Sequence, residues 1–179
     1  MSKPNLTPLM DLIARFESKG DYNIVYGGIP ERYRPKEHLK TSLTKMTVDE
    51  VIGWQAFVTS NQVGAVSSAA GKWQVIRKTL VEFAPKAGLS GGDLFSEANQ
   101  DRIFEVLLER RGYSDFLATK ISDFEFANNI AREWAAMPVV SDIQGAHRAL
   151  NRGECFYAGD QVNKALVSPE EFIAAIRAI

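Results

Sequence analysis

Thr7-Pro8-Leu9-Met10-Asp11-Leu12-Ile13-Ala14-Arg15-Phe16-Glu17-Ser18-Lys19-Gly20-Asp21-Tyr22-Asn23-Ile24-Val25-Tyr26-Gly27-Gly28 contains two patterns in immediate succession. Thr7 is an N-cap and Pro8 takes the first helical position, where its missing N–H costs nothing. Leu9, Leu12, Ile13 and Phe16 then recur at helical spacing until Gly20 supplies a stop. The spacing predicts a helix from about Pro8 to about Lys19. Tyr22 to Tyr26 is short and rich in β-formers, and Gly27-Gly28 closes it as a turn. A helix followed at once by a β-like excursion sets the expected class: α+β, mostly helical, with a small β-sheet lobe inserted after the first long helix.

Beyond this stretch the signals are almost all helical. Pro30 and Pro35 punctuate an irregular segment to about Lys45. Thr47-Val48-Asp49-Glu50 is a capping box opening a helix through about Val58. Ser67-Ser68-Ala69-Ala70-Gly71 reads as a small-residue loop, with a helix from Trp73 to about Lys86. Gly88 to Gly92 is a loop, and Ser96 caps a helix from about Glu97 to Arg111. Ser122-Asp123-Phe124-Glu125 is a second capping box, opening a helix that Pro138 ends. A further helix is expected around Ala146 to Asn151, and the last begins at Ser168-Pro169. No repeat or linker divides the chain. The expectation is a single domain over 1–179, with a β-containing lobe at about 21–72 and a helical lobe in the remainder.

Composition narrows the function classes. The chain has 179 residues, 45% of them hydrophobic and 24% charged. A chain of this size buries roughly 70% of its unfolded surface and needs no staple to fold. Its 21 cationic and 22 acidic side chains leave a net charge of −1, without the overall footprint of a nucleic-acid binder. Cys155 is the single cysteine, so no internal disulfide forms, and it reads as a small buried apolar residue. His38 and His147 are the only histidines, read as surface residues, and no His-Glu-x-x-His spacing exists for a metal. No cofactor is called for. No apolar run reaches the roughly 18 residues of a membrane span. Met1-Ser2-Lys3-Pro4-Asn5 leads into an amphipathic segment and does not read as a signal peptide.

Glu17 stands out among the polar side chains. It follows Phe16 at the edge of the apolar stripe and near the helix C-terminus. The negative end of the helix dipole and burial both disfavour its charged form. Such a carboxyl stays protonated near neutral pH, as a general acid must. The alternative is an exposed helix carboxylate paired with Arg15 or Lys19. Asp21 is either a second carboxylate or a turn residue. Trp73 is either core or part of a ligand site. Gln74, with donors and an acceptor, suits a hydroxyl-rich or N-acetylated sugar or is a helix-surface amide. Tyr157 either stacks on a sugar ring or packs in the core.

Taken in order, Glu17-Ser18, Asp21 to Gly28, Ser68-Ala69-Ala70-Gly71-Lys72-Trp73-Gln74 and Glu133-Trp134-Ala135-Ala136-Met137-Pro138 resemble the lambda-type phage endolysins of the lysozyme superfamily. The similarity spans about Leu9 to Pro138. The resemblance implies a lysozyme-like fold. It also implies cleavage of the β-1,4 bond between N-acetylmuramic acid and N-acetylglucosamine in peptidoglycan, with Glu17 as the catalytic acid and Tyr22 and Gln74 against the sugar. It points to a lytic transglycosylase forming a 1,6-anhydro product. A hydrolytic muramidase using the same glutamate, helped by Asp21, is the alternative. A non-catalytic wall-binding or phage-tail module is a further one. The implied partner is the glycan strand, with no nucleic acid or membrane and a monomeric chain. The implied route runs from the host cytoplasm to the periplasm or cell wall, or inside a virion. The helix from Thr47 to Val58 and the tail around Tyr157 depart from the compact family members.

Overall fold

Leu9, Leu12 and Ile13 recur on one face of the opening helix, and that face is buried in the structure, a computed structural model that describes residues 4–179. The reading of Met1-Ser2-Lys3 lies outside the described residues. Among the described residues eight α-helices follow in order: α1 Thr7–Glu17, α2 Pro35–His38, α3 Val48–Val58, α4 Arg77–Phe83, α5 Glu97–Arg110, α6 Tyr113–Leu117, α7 Asp123–Ala131 and α8 Pro169–Arg177. Two short strands, β1 Ile143–Gln144 and β2 Ala149–Leu150, pair antiparallel between α7 and α8. The protein is therefore mostly helical with one small antiparallel sheet. None of the helices among the described residues is long and apolar enough to cross a membrane.

Backbone packing divides the chain into two compact units. One comprises α1 together with Leu107–Ile179; the other is Ser18–Val106. The lobe expected over 21–72 falls inside the second of these units.

In the first unit, α8 packs on both α1 and α7. Phe172, Ile173 and Ile176 of α8, Leu9 and Ile13 of α1, and Phe126 and Ile130 of α7 supply buried apolar surface there. Ser168 caps α8 through the Glu171 N–H, with Pro169 at the first position as the sequence predicts. Arg15 pairs with Glu171, and Arg177 Nε reaches Asp123 at 2.6 Å. These exposed pairs are worth little individually. Ser122 caps α7 as expected, but the helix ends at Ala131 and turns continue to Pro138.

In the second unit, α3 packs on α4. Thr47 and Glu50 form the predicted capping box, with Glu50 Oε2 accepting from the Thr47 N–H at 2.7 Å. The N–H groups of Val48 and Asp49 donate to the carbonyls of Asp93 and Gly91, so the helix start leaves few donors unmet. Gln55 is fully buried and its Nε2 donates to the carbonyls of Ser68 and Val75, at 2.9 and 2.8 Å. That amide pins the loop before α4 to the body of α3.

Three sequence expectations are corrected. Tyr22 to Tyr26 forms no strand. Only Val25 bridges Ala70, because an Asx turn at Asp21 and the Gly27-Gly28 turn leave room for a single ladder step. The small sheet thus lies at 143–150, not after the first helix. The helix expected from Trp73 starts only at Arg77. Residues 71–74 form a turn between the bridged pair Ala70 and Val75, with Gly71 and Gln74 at φ +75° and +49°. The helix expected around Ala146 to Asn151 is instead the turn and second strand of the β1–β2 hairpin. Gly145 donates to the Arg148 carbonyl, and a side chain at Gly145 would collide with Leu150.

Candidate active site

Glu17 is the last residue of α1 and is half-buried. One carboxylate oxygen accepts the backbone N–H of Ala136 at 3.0 Å. Burial pushes its carboxyl above the ordinary carboxylate range, and the Ala136 hydrogen bond opposes that only in part. Desolvation wins because one neutral N–H replaces little of the hydration a carboxylate loses.

Ala136 is placed by a braced segment. Glu133 accepts from Arg111 Nε at 2.8 Å, and Arg111 Nη2 also donates to the Arg132 carbonyl at 3.2 Å. Tyr157 Oη donates to that same carbonyl at 2.6 Å, and the Tyr157 ring meets Phe156 edge-on at 5.3 Å. Val139 donates to the Glu154 carbonyl at 2.8 Å, and Pro138 bridges Cys155. Tyr157 therefore serves as a strut under the segment that holds Ala136, which fits its packing alternative. Cys155 is 3% exposed, as expected of a small buried residue, and burial raises its thiol pKa.

The remaining candidates lie in the Ser18–Val106 unit, and two of them, Tyr22 and Trp73, share one cluster. Tyr22 Oη donates to Asp101 Oδ2 at 2.9 Å, while Trp73 Nε1 donates to Asp101 Oδ1 at 3.0 Å. Lys72 Nζ donates to Tyr22 Oη at 3.0 Å and sits 4.6 Å from the centroids of both the Tyr22 and Trp73 rings. The cation is thus held by two aromatic faces and a phenol. Burial raises the Tyr22 pKa, with Lys72 lowering and Asp101 raising it.

Gln100 completes the cluster from below. It is 1% exposed, accepts from the Lys72 N–H at 3.0 Å, and donates to the carbonyls of Tyr22 and Phe95 at 3.1 and 3.0 Å. One buried amide thereby ties the Tyr22 loop to the 71–74 turn.

Trp73 is core: it is 2% exposed and its ring lies 4.1 Å from that of Phe104. Its expected place against substrate is corrected accordingly; the ring supports Asp101 and Lys72. Gln74 is half-buried, and its amide donates to the Gly71 carbonyl at 2.9 Å within its own turn. It is a turn amide, not a helix-surface one. Asp21 is exposed and its Oδ1 accepts the Asn23 N–H at 2.8 Å, the geometry of a turn residue.

Lys72, Gln100, Asp101, Arg111 and Ala136 hold or contact the candidate residues and were not singled out by sequence reasoning. Ala136 and Lys72 lie inside quoted motifs. Gln100, Asp101 and Arg111 sit on or beside α5 among other polar residues, where no local signal separates them. Among the described residues no group of three or more His, Cys, Asp or Glu side chains is arranged to hold a metal ion. Comparison of the chain with protein-family models, curated proteins and solved structures returns no match.

Proposed function

We propose that the protein is a peptidoglycan-cleaving glycosidase of lysozyme-like fold, similar to the lambda-type phage endolysins, with Glu17 as its proton donor. The observation that carries this reading is the half-buried Glu17 carboxyl, raised in pKa and balanced only by the Ala136 N–H. That pairing joins two sequence segments on which the resemblance stands. A carboxyl that burial holds protonated to higher pH than an ordinary carboxylate is the group an acetal oxygen needs when its bond breaks.

In the proposed reaction the Glu17 carboxyl gives its proton to the glycosidic oxygen as the C1–O bond of the muramic acid breaks. The resulting carboxylate then takes the proton of that sugar's own 6-hydroxyl, whose oxygen bonds to C1. The product is a 1,6-anhydro ring, and the carboxyl is restored for the next turnover. One carboxyl suffices. This route is preferred over hydrolysis because the other candidate, Asp21, has an oxygen committed to its own turn. The partner is the glycan strand, met in the periplasm or cell wall after synthesis in a host cytoplasm, or from a virion, by a monomeric chain without a cofactor.

Glu17→Gln should lower the rate of turbidity loss on purified cell walls by about 10³-fold, the usual scale for a lost general acid, with the circular dichroism spectrum unchanged. Retained lysis removes Glu17 from the reaction. Mass spectrometry of the released muropeptides separates the routes, since anhydro products are one water lighter than hydrolysed ones. Binding to walls with no soluble fragment released would instead indicate a wall-binding module.

A further inference from the structure

The amide that meets Glu17 is one that its own turn leaves over. Trp134 to Met137 form a β-turn, closed by the Met137 N–H on the Trp134 carbonyl at 3.0 Å. The N–H of the third residue in such a turn has no partner within it and must find one outside. That residue is Ala136, and Glu17 Oε1 accepts its N–H at 3.0 Å. The aim of this N–H therefore depends on how the turn is anchored at its two ends. After the turn, Val139 donates to the Glu154 carbonyl and accepts from the Gly153 N–H, both at 2.8 Å. Leu166 also donates to the Ala136 carbonyl at 2.9 Å. Before the turn, the anchor is Arg111.

Arg111 grips Glu133 Oε2 with both Nε at 2.8 Å and Nη2 at 2.6 Å. Its Nη2 also reaches the Arg132 carbonyl, which accepts the Tyr157 hydroxyl as well. The side chains of the pair are only 17% and 9% exposed. An ion pair buried to that degree returns little net stability, because desolvating both ions offsets most of their attraction. What it supplies here is direction. A planar fork held on one carboxylate and one carbonyl fixes the peptide units beside them, and the turn begins at the next residue. Direction matters to the acid most after its proton has gone. A carboxylate draws roughly twice the strength from an N–H that a neutral acceptor does, and a donor already aimed needs no rearrangement at that moment.

We propose that Arg111 is a positioning residue for the Glu17 acid. Its clamp on Glu133 and Arg132, completed by the Tyr157 hydroxyl, holds the Ala136 N–H on the carboxyl, so that the carboxylate left by proton donation meets a fixed donor. The inference rests on the glycosidase reading for the use made of the proton, while the clamp and its hold on the carboxyl do not. Cys155, whose thiol feels the Glu17 charge, and Tyr157 are both raised by burial, so each stays neutral while Glu17 titrates.

The test follows the Ala136 amide proton of the full chain by NMR as pH is raised, because that resonance moves as Glu17 ionises. The movement should vanish in Glu17→Gln; its persistence there overturns the contact and the clamp's role with it. Arg111→Lys keeps the charge but cannot grip Glu133 and the Arg132 carbonyl together. It should shrink the movement and place its midpoint at higher pH than in the unaltered protein, since a hydrogen bond that favours the carboxylate is weakened. On soluble glycan strands kcat should fall about tenfold with KM unchanged, the scale of a lost hydrogen bond to a charged group. Tyr157→Phe keeps the ring and loses one neutral hydrogen bond, so it should act in the same direction by about fivefold. It carries the test by itself if Arg111→Lys does not fold. A lower melting temperature with the midpoint and kcat unmoved would mark the clamp as a stability device and overturn the proposal. Wall lysis by the unaltered protein is scored separately: lysis with no midpoint shift in the variants sinks only the clamp, and a shift without any lysis sinks only the glycosidase reading.

Discussion

At the scale of single residues, Glu17 links stability to pH with a definite sign. Its carboxyl is raised in pKa by burial, so the folded state favours the protonated form. The stability it contributes is complete below the ordinary carboxylate range and is lost as pH rises through its raised folded value. Glu17→Gln cannot ionise. It should match the parent protein's melting temperature below the ordinary carboxylate range and exceed it once the pH has risen through the raised folded value. A difference that stays constant with pH would show that Glu17 is not desolvated as described. Wall cleavage should fall over the same rising-pH interval, since only the protonated carboxyl can give up a proton. Gly71 is equally specific. Its φ is +75°, and a methyl group there would collide with the Gln100 side chain that gathers the Tyr22 loop and the turn. Gly71→Ala should destabilise the protein by about 1–2 kcal/mol from the left-handed backbone alone, and by more once the collision is counted. Chemical denaturation measures it.

At the scale of elements, the helix boundaries that carry a chemical signature coincide with the structure. Thr47-Val48-Asp49-Glu50 opens α3 with both reciprocal hydrogen bonds, and Ser168-Pro169 opens α8. Thr47→Ala should lower stability by about 1 kcal/mol, the usual worth of a hydroxyl cap, read as a shift in denaturant midpoint with unchanged slope. Elements without a cap signature were less legible. Tyr22 to Tyr26 has β-forming composition, but a strand exists only where a partner ladder continues, and here one bridge is all the flanking turns permit. Trp73 and Gln74 continue an apparent helical run into Arg77, yet the left-handed Gln74 and the bridge from Ala70 to Val75 hold them in a turn. The hairpin at 143–150 stands where a helix is expected because two strands of two residues each leave little trace in a short window, even with Gly145 at the turn. In the site the same division holds. The Glu17 carboxyl at the end of an amphipathic stripe is readable from spacing. Asp101 and Gln100 are not, because what selects them is the approach of the Tyr22 loop and the 71–74 turn in space.

At the scale of the whole molecule, Cys155 offers a reporter of global opening. It is 3% exposed and burial raises its thiol pKa. Both effects slow thiolate chemistry. Labelling by a disulfide reagent should track unfolding, with a denaturant dependence equal to that of the complete transition. Faster labelling with a shallower dependence would reveal local release of the 153–157 segment. Chain order adds a further consequence. The Ser18–Val106 unit is continuous, whereas α1 belongs with Leu107–Ile179 and must wait for them. During synthesis the opening helix leaves the ribosome early, yet the amide that meets its terminal carboxylate is made much later. Until the segment that carries Ala136 is translated and seated, that carboxylate remains hydrated and acidic, so a nascent chain carries the proposed proton donor in a chemically silent form.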